Sequence, residues 1–193
     1  MNRKAKPYSF LATTFIAVSC LTSCTTPICN NTDSSTNENL SAELVKTFTV
    51  ITNDRSEIGT VTLSEVNGEV LAHVKVSGIS PGKHGVHFHA VADCSDAKFL
   101  NTTGHINIHG HQHGLHNPNG PDNADLPNLL ADTSGRVDQV LRSPRVTLKA
   151  GNEAIPSLFD VDGSALVIHA EEDDQITQPI GGAGSRIGCA EIK

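Results

Sequence analysis

The sequence predicts an all-β chain, an antiparallel β-sandwich or barrel with two long loops. Three observations point there. Aromatic content is only 4% and tryptophan is absent, so valine, isoleucine and leucine must fill the core. Short β-rich segments recur between Gly, Pro, Asn and Asp clusters. No segment of the folded region shows an apolar stripe at helical spacing. At 193 residues the chain is long enough for one domain with a substantial core and an appendage.

The elements follow in order. Residues 45–51 are β-rich with partial alternation, and 58–63 alternate clearly. Asn67-Gly68 is a strong two-residue hairpin signal, followed by a strand over 70–76. Residues 85–89 form a short β-like run. A Gly-, His-, Asn- and Pro-rich stretch over 92–127 then reads as a long loop. Three further strands are expected over 136–141, 165–169 and 187–192. Short strands with regular turn signals are the mark of an antiparallel sandwich or barrel.

The N-terminus reads as a targeting segment. Asn2-Arg3-Lys4-Ala5-Lys6 is positively charged, and Phe10 to Leu21 is apolar but too short to span a bilayer. Leu21-Thr22-Ser23-Cys24 resembles a bacterial lipoprotein signal, cut before a cysteine that receives lipid. The expected division is a signal peptide over 1–23, a flexible tether over 24–42 and one folded domain over 43–193. The protein is then exported to the periplasmic side and anchored through Cys24 to the outer membrane or cell envelope. An exported domain keeps disulfides. Cys94 and Cys189 remain in the folded region as a natural pair, while Cys29 has no evident role.

A formal charge of -7, with no cluster of lysine and arginine, argues against a nucleic-acid partner. The histidines are more informative. Eight of the ten lie between positions 84 and 116. Imidazole at that density suits copper or zinc. His87-Phe88-His89 sits in a strand, where residues two apart share a face and can reach one metal. Downstream come His105, His113, Asp122, Asp125 and His169, all residue types accepted by zinc or copper.

Taken in order, these motifs resemble the copper/zinc superoxide dismutase family. The resemblance rests on Gly85-Val86-His87-Phe88-His89, Gly104-His105-Ile106-Asn107, His113-Gly114-Leu115 and Ala124-Asp125-Leu126. It continues through Leu166-Val167-Ile168-His169-Ala170-Glu171-Glu172-Asp173-Asp174 and the glycine-rich run from Gly181 through Arg186 to Cys189. It covers residues 43–193 and implies a Greek-key β-sandwich or barrel with two long functional loops.

The resemblance implies that His87, His89, His105 and His169 hold copper, and that His105 bridges to zinc. His113, Asp122 and Asp125 would complete the zinc site. It implies that Asp173 links ligands of the two metals, that Arg186 attracts the anionic substrate, and that Cys94 pairs with Cys189. The implied reaction is dismutation of superoxide to dioxygen and hydrogen peroxide. In it His105 leaves copper on reduction, takes a proton and stays on zinc. The implied partners are superoxide, a membrane through the anchor on Cys24 and, left open, a second copy in a homodimer. The other reading is a copper-binding or copper-delivery lipoprotein with a degenerate dismutase fold.

The chain departs from the family pattern in places. Asp122 stands where the family usually has histidine, Ile108 where it has proline and Ala124 where it has glycine. The segment from Asp174 to Gly181 is short. His116 is the alternative to Asp122 as a zinc ligand. His109 and His111 are extra to the pattern. They read first as exposed loop residues and second as a transient copper-capture pair. His84 reads as structural, and His73 as a surface or core residue.

Overall fold

A computed structural model describes residues 44–193. The signal, Cys24, Cys29 and the whole tether lie outside the described residues. Among the described residues nine strands form: β1 Lys46–Thr52, β2 Glu57–Val66, β3 Glu69–Ser77, β4 Gly82–His84, β5 Val86–His89, β6 Leu129–Ala131, β7 Arg136–Ser143, β8 Ser164–His169 and β9 Arg186–Ile192. Seven join one antiparallel sheet in the order β5-β8-β9-β1-β2-β3-β7, and β4 pairs with β6. Among the described residues the helical content is one 3-10 turn, Leu100–Thr102.

Local chemistry explains the long strands. Along β3, buried Val70, Ala72, Val74 and Val76 alternate with more exposed neighbours. Period-two burial of this kind puts one face on the core and the other toward water. The β2–β3 hairpin turns at Asn67 (φ 53°) and Gly68 (φ 80°), with Val66 opposite Glu69. Two successive positive φ values are what a type I′ turn demands, and Asn-Gly supplies them at least cost. β5 and β8 are buried along their whole length. Their side chains have no solvent face, so His87, His89 and His169 are carried into the interior.

The expected strand over 85–89 forms as β5 but starts one residue later, at Val86. β4 ends at His84, β5 begins at Val86, and Gly85 lies between them. A side chain on Gly85 would meet the Ala183 Cβ at 2.7 Å and the Asp173 Cβ at 3.2 Å. The Gly85 N–H donates to Glu171 O and its carbonyl accepts from His169 N, both at 2.8 Å. Glycine is therefore required for the close approach of the segments that carry Asp173 and His169. Strands β4 and β6 were not expected. Each is three residues long, too short to show a period, and Leu130 in the middle of β6 is exposed.

The core packs Val50, Leu63, Val74, Phe88, Leu129 and Leu166, all essentially inaccessible to solvent. The long loop after β5 is stitched back onto that strand. Ala90 N donates to Gly104 O (3.0 Å), Ile106 N to Phe88 O (3.1 Å) and Phe88 N to Ala124 O (3.2 Å). Isolated bridges set His89 beside His105 and His87 beside Asp125. Residues far apart in sequence thus flank His87-Phe88-His89 from both sides.

Candidate metal centre

His87, His89 and His105 present ring nitrogens within 4.8 Å of one another. His169, from the end of β8, adds its ring with centroids 5.0 Å from His87 and 6.0 Å from His89. His105, His113, Asp122 and Asp125 form a second group on the same distance criterion. His105 belongs to both. The residues expected at the two metals are therefore brought together, and His105 stands between the clusters.

Hydrogen bonding selects which atoms can bind a cation. His87 Nε2 donates to Asp173 Oδ2 at 2.9 Å. His89 Nδ1 donates to Thr103 O at 2.9 Å, and His169 Nδ1 to Gly184 O at 3.1 Å. In each ring the opposite nitrogen, His87 Nδ1, His89 Nε2 and His169 Nε2, is buried without a partner, as is His105 Nε2. A buried polar atom left unpaired costs about 1–3 kcal/mol. Four such imidazole lone pairs close together match a copper site, each ring oriented through its other nitrogen.

The second group has the same character with harder donors. Asp122 Oδ2 lies 2.9 Å from His105 Nδ1, and Asp125 Oδ1 lies 3.9 Å from that nitrogen. His113 Nδ1 approaches Asp125 Oδ1 to 2.6 Å, yet the pair lacks hydrogen-bond geometry and both atoms remain without a partner. Two histidines and two carboxylates are a donor set zinc accepts. His116 is exposed and lies outside the group, its backbone N–H donating to Gln175 O.

Asp173 joins the clusters. Oδ2 accepts from His87 Nε2 at 2.9 Å, and Oδ1 accepts from His113 Nε2 at 3.0 Å. Gln175 holds the same carboxylate through its backbone N–H (2.6 Å) and side-chain amide (2.7 Å). Burial alone would raise the Asp173 pKa, but the bonds from His113 and His87 outweigh it and hold the group well below the usual carboxylate range. Burial also opposes protonation of His113, yet Asp125 and Asp173 lift its pKa to about 10. Burial dominates at His169, pushing it down to about 3, and depresses His87 and His89 as well.

Arg186 lines the same cleft as His89, His105, His113 and Asp122, a space of about 350 Å³. Its guanidinium donates to Phe99 O (2.6 Å), Thr102 Oγ1 (3.0 Å) and Thr103 O (2.7 Å). Thr103 O also accepts from His89, so one carbonyl orients both the cation and a candidate ligand. Cys94 and Cys189 form a disulfide with Cα atoms 6.0 Å apart, tying the start of this loop to β9 near Arg186.

With this geometry in view, the comparisons are specific. The family model for copper/zinc superoxide dismutase (SODC) matches residues 57–192. The chain belongs to the copper/zinc superoxide dismutase family. A Superoxide dismutase [Cu-Zn] of Caulobacter vibrioides is 41% identical over 148 residues, covering 76% of this chain and 84% of the relative. Superoxide dismutase [Cu-Zn] 2 of Aquifex aeolicus is 39% identical over 153 residues, covering 79% and 85%. The solved structure of a SOD-like protein from Bacillus subtilis superposes with a TM-score of 0.73 at 28% identity, covering 78% of this chain and all of that one. Copper and zinc are the metals of this family, and the unpartnered buried donors fit them.

Sequence reasoning missed Arg145. Its guanidinium donates to the Asp125 carbonyl, and Asp125 and Asp122 stabilise its charge against burial. It also missed Thr102 and Phe99, which position Arg186, and Gln175, which holds Asp173. None of these lies in a metal-ligand pattern, and Arg145 is separated from Asp125 by 20 residues. Elsewhere, His84 is buried between Ser80 and the His169 carbonyl, as a structural residue should be. His73 is on the sheet surface beside Asp138.

Proposed function

We propose that this chain dismutes superoxide with copper and zinc, and that His87 Nδ1, His89 Nε2, His105 Nε2 and His169 Nε2 would hold the copper, His105 serving both sites. His105 Nδ1, His113 Nδ1, Asp122 and Asp125 would hold the zinc. The observation that carries this reading is the set of buried donor atoms without partners on the residues of both clusters. Overall, two superoxide anions and two protons give dioxygen and hydrogen peroxide. Copper, when bound, supplies the one-electron oxidation and reduction, and zinc supplies a fixed positive charge.

The protein's own groups bind, orient and deliver protons. Arg186 offers a fixed positive fork in the cleft, and local focusing can outweigh a negative net charge. His105 Nε2 is the atom at which a proton can be held and passed to the substrate, while Nδ1 stays committed to the Asp122 side. Asp173 fixes the tautomers of His87 and His113 by accepting from the Nε2 of each. The copper-delivery alternative is not favoured, since the relatives carry the dismutase name and Arg186 lies in the cleft.

The same reading includes export and lipid attachment at Cys24, supported by Leu21-Thr22-Ser23-Cys24. Cys24→Ser should release the protein from membranes or block its processing. For the centre, metal content and dismutation are measured on one sample. The expected result is one copper and one zinc per chain, with activity lost on copper chelation and restored by copper. Full metal content without dismutation would overturn the reading.

A further inference from the structure

The loop after β5 carries histidines the metal centre does not use. His109 and His111 are exposed, with ring centroids 5.5 Å apart and ring planes inclined at 34°. Neither is held as a freely solvated side chain. His109 Nε2 lies 3.2 Å from the Ala154 carbonyl, and His111 Nδ1 lies 3.1 Å from the Pro121 carbonyl. A carbonyl oxygen only accepts, so the nitrogen facing it must carry the hydrogen. The lone pairs therefore sit on His109 Nδ1 and His111 Nε2. Fixing one ring nitrogen on a backbone carbonyl while freeing the other is how ligand histidines are oriented.

The turn between them is also built. Gly110 has φ 67°, a conformation that favours glycine. Asn107 closes the turn from both sides, its Oδ1 accepting from His111 N at 3.0 Å and its Nδ2 donating to His111 O at 2.7 Å. Asn107 and His111 line the same cleft as His89, His105 and Arg186. Arg186 repels a free cation at that mouth, so metal loading gains from a ligand pair that holds the cation there.

We propose that His109 and His111 form an exposed two-imidazole site that captures Cu²⁺ at the cleft mouth and passes it inward. Imidazole suits copper, and Cu²⁺ binds nitrogen donors more tightly than Zn²⁺ does. Two protein ligands with water completing the shell give a hold weak enough to release. Transfer is ligand exchange: the bonds from copper to His109 and His111 break as bonds to the inner histidines form. No electron moves: His87, His89 and His169 accept the metal through free lone pairs, and His105, with Nδ1 given to zinc, releases its Nε2 proton to water as copper binds. The inward half rests on the proposed copper reading of the four-histidine cluster.

The first test uses protein saturated with copper and zinc and then freed of loosely held metal, so it reads a site outside whatever metal the inner residues hold. Cu²⁺ titrated into it, followed by electron paramagnetic resonance and calorimetry, should add one copper per chain with nitrogen coupling. His109→Ala and His111→Ala should each weaken that binding about tenfold or more. The second test follows copper uptake by zinc-loaded, copper-free protein. The double variant should fill several-fold more slowly yet reach the same final copper content. No extra copper in the filled wild type would overturn the site, and so would retention of that copper by the double variant. Wild-type uptake by the double variant would overturn the delivery.

Discussion

Asp122 places Oδ2 2.9 Å from Nδ1 of His105, the ring whose Nε2 has no partner. Bond count explains how a carboxylate can stand where histidine is usual. A histidine binding through Nδ1 puts its donor three bonds from Cα, and an aspartate oxygen is equally far. The added negative charge is not left alone, because Arg145 lies close to both Asp122 and Asp125. Asp122→Ala should lose zinc, Asp122→His should keep it, and His116→Ala should be neutral, all by metal analysis of purified protein. Zinc kept in Asp122→Ala and lost in His116→Ala would reverse the assignment.

Asp173 would act as a positioning residue for ligands of both proposed metals. Its two oxygens accept from His87 and His113, and all three side chains are shut off from water. In Asp173→Asn one oxygen becomes an NH2 group, which cannot accept from an imidazole N–H. One of the two rings then loses its anchor. Affinity for the corresponding metal should fall about 10–100-fold, measured by competition with a chromogenic chelator. Unchanged copper and zinc affinity would remove the anchoring role.

Much of this was legible because it is local or periodic. The long strands β1, β2, β3 and β7 announce themselves through full or partial alternation and turn residues, β8 and β9 through short β-rich runs, and the His87-Phe88-His89 pair through the two-residue period of a strand. Resemblance to a family supplied the pairing of these with distant Asp122, Asp125 and His169. What stayed hidden has neither period nor motif. β4 and β6 are stabilised by pairing with each other, not by internal pattern. The hold of Phe99, Thr102 and Thr103 on Arg186 spans more than 80 residues and uses two backbone carbonyls, which every residue type provides.

Arg186 has two separable attributes, charge and fork. Arg186→Ala should leave copper bound, lower the rate and flatten its dependence on ionic strength. Arg186→Lys keeps the charge but cannot make the three donations to Phe99, Thr102 and Thr103 together, so its rate should be intermediate with the salt dependence largely kept. Steady-state dismutation across a salt series reads both. An Arg186→Ala protein with the wild-type rate and salt profile would take steering out of the mechanism.

The Cys94–Cys189 bond links positions 95 residues apart. Closing so long a loop in the unfolded chain corresponds to roughly 4–5 kcal/mol in the chain-entropy view. Cys94→Ser with Cys189→Ser should therefore lower unfolding stability by a few kcal/mol in urea. It should also loosen the loop whose later residues, Phe99 to Thr103, hold Arg186. Unaltered stability in the double variant would refute the first effect.

The acid side of the metal-free protein offers the last test, and its sign is set by burial. His169 is held down to about 3 against an ordinary value of 6.5, chiefly by burial, and His87 and His89 are lowered for the same first reason. Between those limits the unfolded chain takes protons that the folded chain refuses. Stability is then fully present above about pH 6.5 and is lost as pH falls toward 3, with a slope of about 1.4 kcal/mol per pH unit for each proton. Asp173, lowered by its bonds from His113 and His87 against burial, adds a loss at still lower pH. His113 acts oppositely: raised to about 10 by Asp125 and Asp173, it stabilises below the unfolded value and loses that contribution as pH rises through 10. Three depressed histidines outnumber one raised, so the acid arm should be the steeper. Urea unfolding of chelator-treated protein with its disulfide intact, at pH 4.5, 6.5 and 8.5, should give the lowest stability at 4.5. Equal or greater stability at pH 4.5 than at 6.5 would mean that the histidine cluster is not held neutral by burial.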